Sequence, residues 1–317
     1  MTKGQKIIIF VGSFLITFIT ICAFFRDDIK YMLVSRVIDR KYGNTTENIY
    51  FLEDNFAFVD NHDDVEVSSR EDIINSIYYI INSGATYSER YCAKEYTNCI
   101  KDIESIGSDQ SLLSVLNNFV HPYNSFKKIT FSYDDDSIGI SVEHTYSDEE
   151  IEEINSVVDK FVDENITNNM STRDKIKVIH DYIIDNTDYD NSFVVRSNDN
   201  KYKSNTAYAV LMQGYGICSG YSDAMAIFLN KLNIINYKIT TDESNITDTS
   251  DGHIWNLVYI DGKWLHLDLT WDDPVSERNI TRDNYFLINT ETLKLLDKDK
   301  NVQDAHSFDT NIFSEAK

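Results

Sequence analysis

Basic residues are scarce in this chain: 29 lysines and arginines stand against 52 aspartates and glutamates, for a formal net charge of −23. Nucleic acid needs a basic face to meet its phosphates, so that class of partner is not expected. An acidic surface chiefly serves solubility, with some preference for basic substrates. Cysteines are also few, at four. Cys22 falls in an apolar run and Cys218 in a motif taken up below, which leaves Cys92 and Cys99, whose spacing is not that of a zinc site. Those two can pair if the domain is exported. In a continuous helix they would sit ~10 Å apart, too far to bridge, so a disulfide requires a loop or bend between them. The two prolines, set among many asparagines, isoleucines and tyrosines, reflect compositional bias more than function. Internal repeats are absent, and low complexity is confined to short polar loops.

Ile7 to Phe25 form a run of nineteen positions without charge, long enough for one membrane span. No small-x-small cleavage site follows it, which favours an uncleaved anchor over a signal peptide. Ile21 stands where a lipoprotein site at Cys22 would need a small residue. Lys3 and Lys6 precede the span, while Arg26, Lys30, Arg36, Arg40 and Lys41 follow it. Local charge therefore does not favour an outside domain, yet short amino-terminal tails stay inside and large domains cross despite their charge. The expected location is the cell membrane, single-pass, with the soluble part extracellular.

Residues 43–146 read as a mixed α+β region. Ser69 to Asp72 resembles a capping box that opens a helix through IINSIYYII, with Gly84 as its stop. Leu112, Leu113, Val115, Leu116, Phe119 and Val120 suggest a second helix, ended by His121-Pro122. FKKITFSY and IGISVEHTY flank an acidic turn and look like a hairpin. From Ser147 to Glu150 a cap opens a longer amphipathic helix with Ile151, Ile154, Val158, Phe161 and Val162 inward, and a second soluble domain is expected over 147–317. The polar stretches GNTTEN and NITNNMST are the breaks.

The chemistry lies further on, in GYGICSGYSDAM, DGHIWNLVYI and KWLHLDLTWDDP. Ser219 to Leu232 reads as a helix, because Tyr221, Ala224, Met225, Phe228, Leu229 and Leu232 make one apolar stripe. Cys218 then sits at its first turn, where unpaired amides and the helix dipole favour a thiolate and can hold an oxyanion. A buried, inert cysteine is the bland alternative. The surrounding glycines and Ser219 argue instead for an open approach.

Two strand-like runs, Ile254–Ile260 and Lys263–Thr270, flank Asp261-Gly262, a strong signal for a two-residue hairpin. If Ile260 faces Lys263, then Trp255 falls opposite Asp268 and His253 opposite Thr270. His253 and Asp268 then share a face as diagonal neighbours ~7–8 Å apart at the backbone. A one-residue slip would separate them. Cysteine, histidine and aspartate in this order suggest a nucleophile, its base and an orienting carboxylate. The same face carries His266, so His253, His266 and Asp268 are a rival two-histidine, one-carboxylate metal site. That rival leaves Cys218 without a role. No metal and no cofactor are expected, and His266 is read as a packed strand residue.

These residues resemble the transglutaminase-like superfamily, a papain-related group of cysteine enzymes common in bacteria. The likeness rests on the GxCxGY helix start, the HxWN strand and the W-x-x-LD-x-TWDDP strand, with KIKVIHDYIIDNTDYD and AYAVLMQGYGIC upstream. It is strong over Thr172 to Pro274 and weaker toward the C-terminus. Ile254 stands where alanine is usual, and Leu269 replaces a common proline. The resemblance implies an α+β fold in which a helix carrying Cys218 packs on an antiparallel sheet carrying His253 and Asp268. It also implies cysteine-dependent acyl transfer or hydrolysis on a protein or peptide carboxamide. Tyr208 and Gln213 are candidates for a further oxyanion donor, although the glutamine of papain-like enzymes lies at another spacing. Trp255 and Trp271 are candidate walls of an acyl-binding cleft, and the pair Asp272-Asp273 is a thin candidate for calcium. His180 reads as a packing or capping histidine. The polar loop Thr241–Asp251 leads directly to His253 and is a candidate to shape substrate entry. The alternative class of function is a catalytically silent binding or scaffold domain at the cell surface.

Overall fold

Turn chemistry and helix caps set many element boundaries in the computed structural model, which describes residues 47–191, 202–242, 252–273, 283–300 and 305–317. The apolar run at 7–25 and most of the loop before His253 lie outside these residues. Among the described residues, no helix is long and apolar enough to cross a membrane. Glu47–Lys317 form one compact unit.

The first part contains β1 (Glu66–Val67), α1 (Arg70–Asn82), β2 (Tyr87–Cys92), α2 (Cys99–Ser108), α3 (Gln110–Leu116), β3 (Phe126–Tyr133) and β4 (Ser137–His144). Ser69 caps α1 by accepting from Asp72 N at 3.1 Å. Gly84 follows the helix at φ +75, the left-handed conformation that suits glycine at a helix end. The strands form one sheet in the order β1-β2-β4-β3, with the expected β3–β4 hairpin at its edge. The helix expected to continue to Val120 ends at Leu116 instead. Asn117 explains this: its side chain donates to Phe126 O and accepts from Phe126 N, both at 2.9 Å, and so ties the chain to the start of β3. Cys92 and Cys99 are joined as a disulfide with a Cα separation of 5.9 Å. One ends β2 and the other begins α2, so the necessary bend lies in the turns between them.

The second part contains α4 (Asp148–Asn165), α5 (Thr172–Asp185), β5 (Asp188–Tyr189), a π-helical turn (Ala209–Gln213) and β6 (Tyr215–Gly216). There follow α6 (Cys218–Lys231), β7 (Asn236–Thr240), β8 (Ile254–Ile260), β9 (Lys263–Leu267), α7 (Leu269–Asp272), β10 (Phe286–Ile288) and α8 (Thr290–Asp299). Ser147 and Glu150 form both arms of a capping box on α4. The second sheet has the order β10-β9-β8-β7, antiparallel throughout.

Both faces of this sheet are covered, which is why β8 reads as a nearly unbroken apolar run. Val258, Ile260, Leu265 and Leu267 pack with α4, α5 and α6. Tyr237, Ile239, Trp255 and Leu257 point the other way, into a core they share with Ile73, Ile77, Leu116 and Phe119 of the first part. The edge strand β7 is not bare either: Lys238 N donates to Asn118 O at 2.9 Å.

A candidate cysteine–histidine–aspartate site

Asp261 and Gly262 both have positive φ, +54 and +79, the geometry of a type I′ turn whose twist matches the flanking strands. The register that follows is Ile260↔Lys263 through Asn256↔Leu267. There the ladder stops. The strand expected to reach Thr270 ends at Leu267, and the pairs Trp255–Asp268 and His253–Thr270 do not form. Asp268 is the reason, since aspartate is a strong helix cap. Its Oδ1 accepts from Trp271 N at 3.2 Å and turns the next residues into α7.

The side chains meet nonetheless. His253 Nε2 lies 2.6 Å from Asp268 Oδ2. The backbone of His253 is held from the other side, with Thr241 N donating to His253 O at 2.9 Å and His253 N donating to Thr241 Oγ1 at 3.1 Å. Trp255 stacks on the imidazole at 15° between planes. Only 12% of the His253 side chain is exposed, and 1% of Asp268.

Cys218 is the first residue of α6 and is partly exposed. The first helical bond runs from Tyr221 N to Ile217 O, so the amides of residues 218–220 precede the hydrogen-bonded part of the helix. Its helix is fastened to the histidine strand by two polar bonds. Ser222 Oγ donates to Ile254 O, and Asn256 Nδ2 donates to Ser222 O, each at 3.0 Å. Cys218 lies near enough to His253 to favour the charged imidazole. Asp268 engages Nε2 of the ring, so Nδ1 is not part of that contact.

Burial opposes a charge on His253, but the carboxylate of Asp268, its hydrogen bond and the contact with Cys218 outweigh that and raise the imidazole from 6.5 to about 10. Burial would likewise raise Asp268, yet the charges and hydrogen bonds of His253 and His306 hold its carboxyl well below the usual carboxylate range. The site is therefore built to keep an imidazolium beside a carboxylate.

His306 is the residue that sequence reasoning missed. Its Nε2 sits 2.9 Å from Asp268 Oδ2, the oxygen that also meets His253, and its Nδ1 sits 2.8 Å from Asp297 Oδ1. No periodicity or motif surrounds it, and its partner Asp268 is 38 residues away in sequence. His266 takes no part. Its Nδ1 accepts from Trp255 Nε1 at 3.0 Å and its Nε2 faces Thr290 Oγ1 at 2.9 Å, as befits a packed strand residue. Burial pushes its pKa down to about 3. The metal set considered from sequence is thus corrected: His253, Asp268 and His306 offer ligand atoms within 4.8 Å of one another. An ion there would displace two short hydrogen bonds and occupy the nitrogen that orients His253.

Other expectations change with the geometry. Gly216 and Gly220 do not open an approach to the sulfur. A Cβ on Gly220 would meet Ser204 O at 2.5 Å, and one on Gly216 would meet Val210 Cγ2 at 2.6 Å, so both serve close packing. Tyr208 gives its hydroxyl to Glu153 at 3.0 Å, and Gln213 Oε1 accepts from Lys203 N at 3.3 Å. The Tyr208 hydroxyl thus has its donor engaged by Glu153, whereas the Gln213 bond uses only its acceptor oxygen. Trp255 is fully buried and has no face to offer a substrate. Trp271 keeps partial exposure and lies edge-on to His253 at 6.2 Å. Asp272 accepts from Tyr285 N and faces His180 Nε2 at 3.3 Å, and Asp273 accepts from the Tyr221 hydroxyl at 2.5 Å. This spends the calcium candidates on protein partners, and His180 joins α5 to α7.

Residues 159–269 match the family model described as the Transglutaminase-like superfamily, a span that includes Cys218, His253 and Asp268. No curated protein matches the chain. Among solved structures, a crystal structure of a TGase aligns at 16% identity and TM-score 0.34, covering 72% of each chain. A candidate cysteine protease from Cytophaga hutchinsonii aligns at 14% identity and TM-score 0.28, over 45% of this chain and 61% of its own. The family match lies across the helix that begins at Cys218 and the hairpin that follows His253, so it is this part of the chain that is similar to the transglutaminase-like superfamily.

Proposed function

We propose that Cys218, His253 and Asp268 act as nucleophile, base and orienting carboxylate in acyl transfer or hydrolysis on a protein or peptide carboxamide. The observation that carries this reading is a single imidazole that meets Asp268 Oδ2 at 2.6 Å while its charge is favoured by both Asp268 and Cys218. The sulfur attacks the carbonyl carbon as a thiolate, and the carbonyl oxygen takes the electron pair. Amides at the start of α6 are the candidate donors to that oxyanion. When the intermediate collapses, the departing amine takes a proton from His253 and a thioester remains. Neutral His253 then accepts a proton from water or a second amine as that acceptor attacks, and the thiolate is released. Asp268 orients the ring through both halves of the cycle.

Mass spectrometry of a glutamine-containing peptide pool incubated with a primary amine tests the reading. Amine adducts indicate transfer, a gain of about one mass unit indicates deamidation, and new termini indicate peptide cleavage. All products must vanish in Cys218→Ala. A pool that stays unchanged with the wild-type protein across peptide classes favours the binding or scaffold alternative.

The reading includes a place of action at the cell surface, with Ile7–Phe25 as the anchor. The Cys92–Cys99 disulfide supports export, since reducing compartments keep thiols free. Protease added to intact cells should then digest the soluble part. Digestion only after lysis would put it inside.

A further inference from the structure

Asp268 is shared by two histidines, and only one of them faces the sulfur. His253 Nε2 and His306 Nε2 meet the same oxygen, Oδ2, at 2.6 and 2.9 Å. Asp297 Oδ1 stands 2.8 Å from the other nitrogen of His306. Each ring nitrogen of His306 therefore faces a carboxylate oxygen. The result is an unbroken row from Asp297 through His306 and Asp268 to His253, whose charge Cys218 also favours.

We propose that His306, backed by Asp297, is a positioning residue that acts on His253 through Asp268. This rests on the reading of Cys218 and His253 as a working pair. It performs two tasks. With Trp271 N on Oδ1 and two imidazoles on Oδ2, the carboxylate has its direction fixed. The second task is electrostatic. Oδ2 is shared between the two rings, so its contact with His306 draws on the same charge that holds the proton on His253 and offsets part of the pull of Asp268. His253 must lose its proton to the leaving amine and stay neutral until the acceptor arrives. A base held too firmly as a cation would fail in the second half of the cycle.

A purely structural role for the ring is not needed to hold its segment in place. Asp242 N donates to Ser307 O at 2.9 Å, and Thr241 Oγ1 donates to Ala305 O at 3.1 Å, on either side of His306. The remaining titratable neighbours are few. Tyr285 stacks on the ring at 5.3 Å, and Lys300 lies over the Tyr285 ring at 4.5 Å. On β9, His266 is kept neutral by burial, while Asp272 reaches this cluster through Tyr285 N.

The test is the rate of iodoacetamide alkylation at Cys218 against pH, read on its own peptide by mass spectrometry in the full chain. His306→Gln keeps a donor without charge, and Asp297→Asn removes the backing carboxylate. The upper inflection, where His253 loses its proton, should rise by about one pH unit in His306→Gln and by less in Asp297→Asn. Profiles that superimpose on the wild type in both folded variants overturn the proposal, even if His306→Ala fails to fold. A wild-type profile unchanged by His253→Ala is a different failure. It removes the cysteine–histidine pair itself, whereas a profile sensitive to His253 but not to His306 or Asp297 removes only this inference.

Discussion

Asn256 donates to the backbone carbonyl of Ser222 at 3.0 Å, and both groups are buried. That bond fastens the strand after His253 to the helix that starts at Cys218, four residues before Ser222. Without it a carbonyl in the interior would lose its donor. Asn256→Ala is expected to lower stability by about 1–3 kcal/mol, measured by urea unfolding. It should also slow His253-dependent alkylation of Cys218 while protein is still fully folded. Wild-type stability in the variant would contradict the arrangement.

Two opposite shifts at one contact define a pH window. The His253 pKa is raised from 6.5 to about 10, so its contribution to stability is complete below about 6.5 and is lost as pH climbs toward 10. Asp268 is depressed from 3.8, so its contribution is complete above about 3.8 and is lost as pH falls through its lower folded value. Thermal unfolding should show both contributions in full between about pH 4 and 6.5. In Asp268→Asn the loss on the alkaline side should shrink. An alkaline limb identical to that of the wild type would show that the pair is not coupled.

The His–Asp contact was legible in part, because one dipeptide set the register as far as Leu267, one residue short of Asp268. Asp261-Gly262 fixes Ile260 against Lys263, and the rest of the hairpin counts back from it. The end of β9 was misread for a local reason. Leu269, Thr270 and Trp271 have strand-like side chains, but the cap at Asp268 decides the backbone. His306 was hidden because its chemistry comes from a contact between distant segments, and nothing in AHSF announces it. The glycines near Cys218 were seen but given the wrong purpose, since a backbone carbonyl from Ser204 is not visible in a linear pattern.

Gly220 and Gly262 separate those purposes experimentally. Gly220→Ala puts a methyl against Ser204 O at 2.5 Å, where backbone must move. Overpacking of this kind costs about 1–3 kcal/mol. Gly262 has open space around it, and only its φ of +79 resists a side chain. Gly262→Ala should therefore cost about 1 kcal/mol. Differential scanning calorimetry of the two variants should show the larger drop in Tm for Gly220→Ala. The reverse order would return Gly220 to the role of an open approach.

Reduction of Cys92–Cys99 probes the first part of the chain. Cys99 is buried at 2% exposure, and the loop it closes is short. Chain-entropy reasoning gives about 2 kcal/mol for a loop of this size. Urea unfolding of Cys218→Ala with and without reductant should differ by that order. A midpoint indifferent to reductant would mean that α2 and β2 hold each other without help.

Tyr237, Ile239, Trp255 and Leu257 lie against side chains supplied by residues before 147. Phe119, for one, has its ring 5.1 Å from that of Tyr237. A fragment cut at residue 147 would keep every side chain of the cysteine–histidine–aspartate row yet bare this greasy wall to solvent. Such a fragment should clump or cling to other proteins, and silence from it in an assay would say nothing about the intact molecule's chemistry.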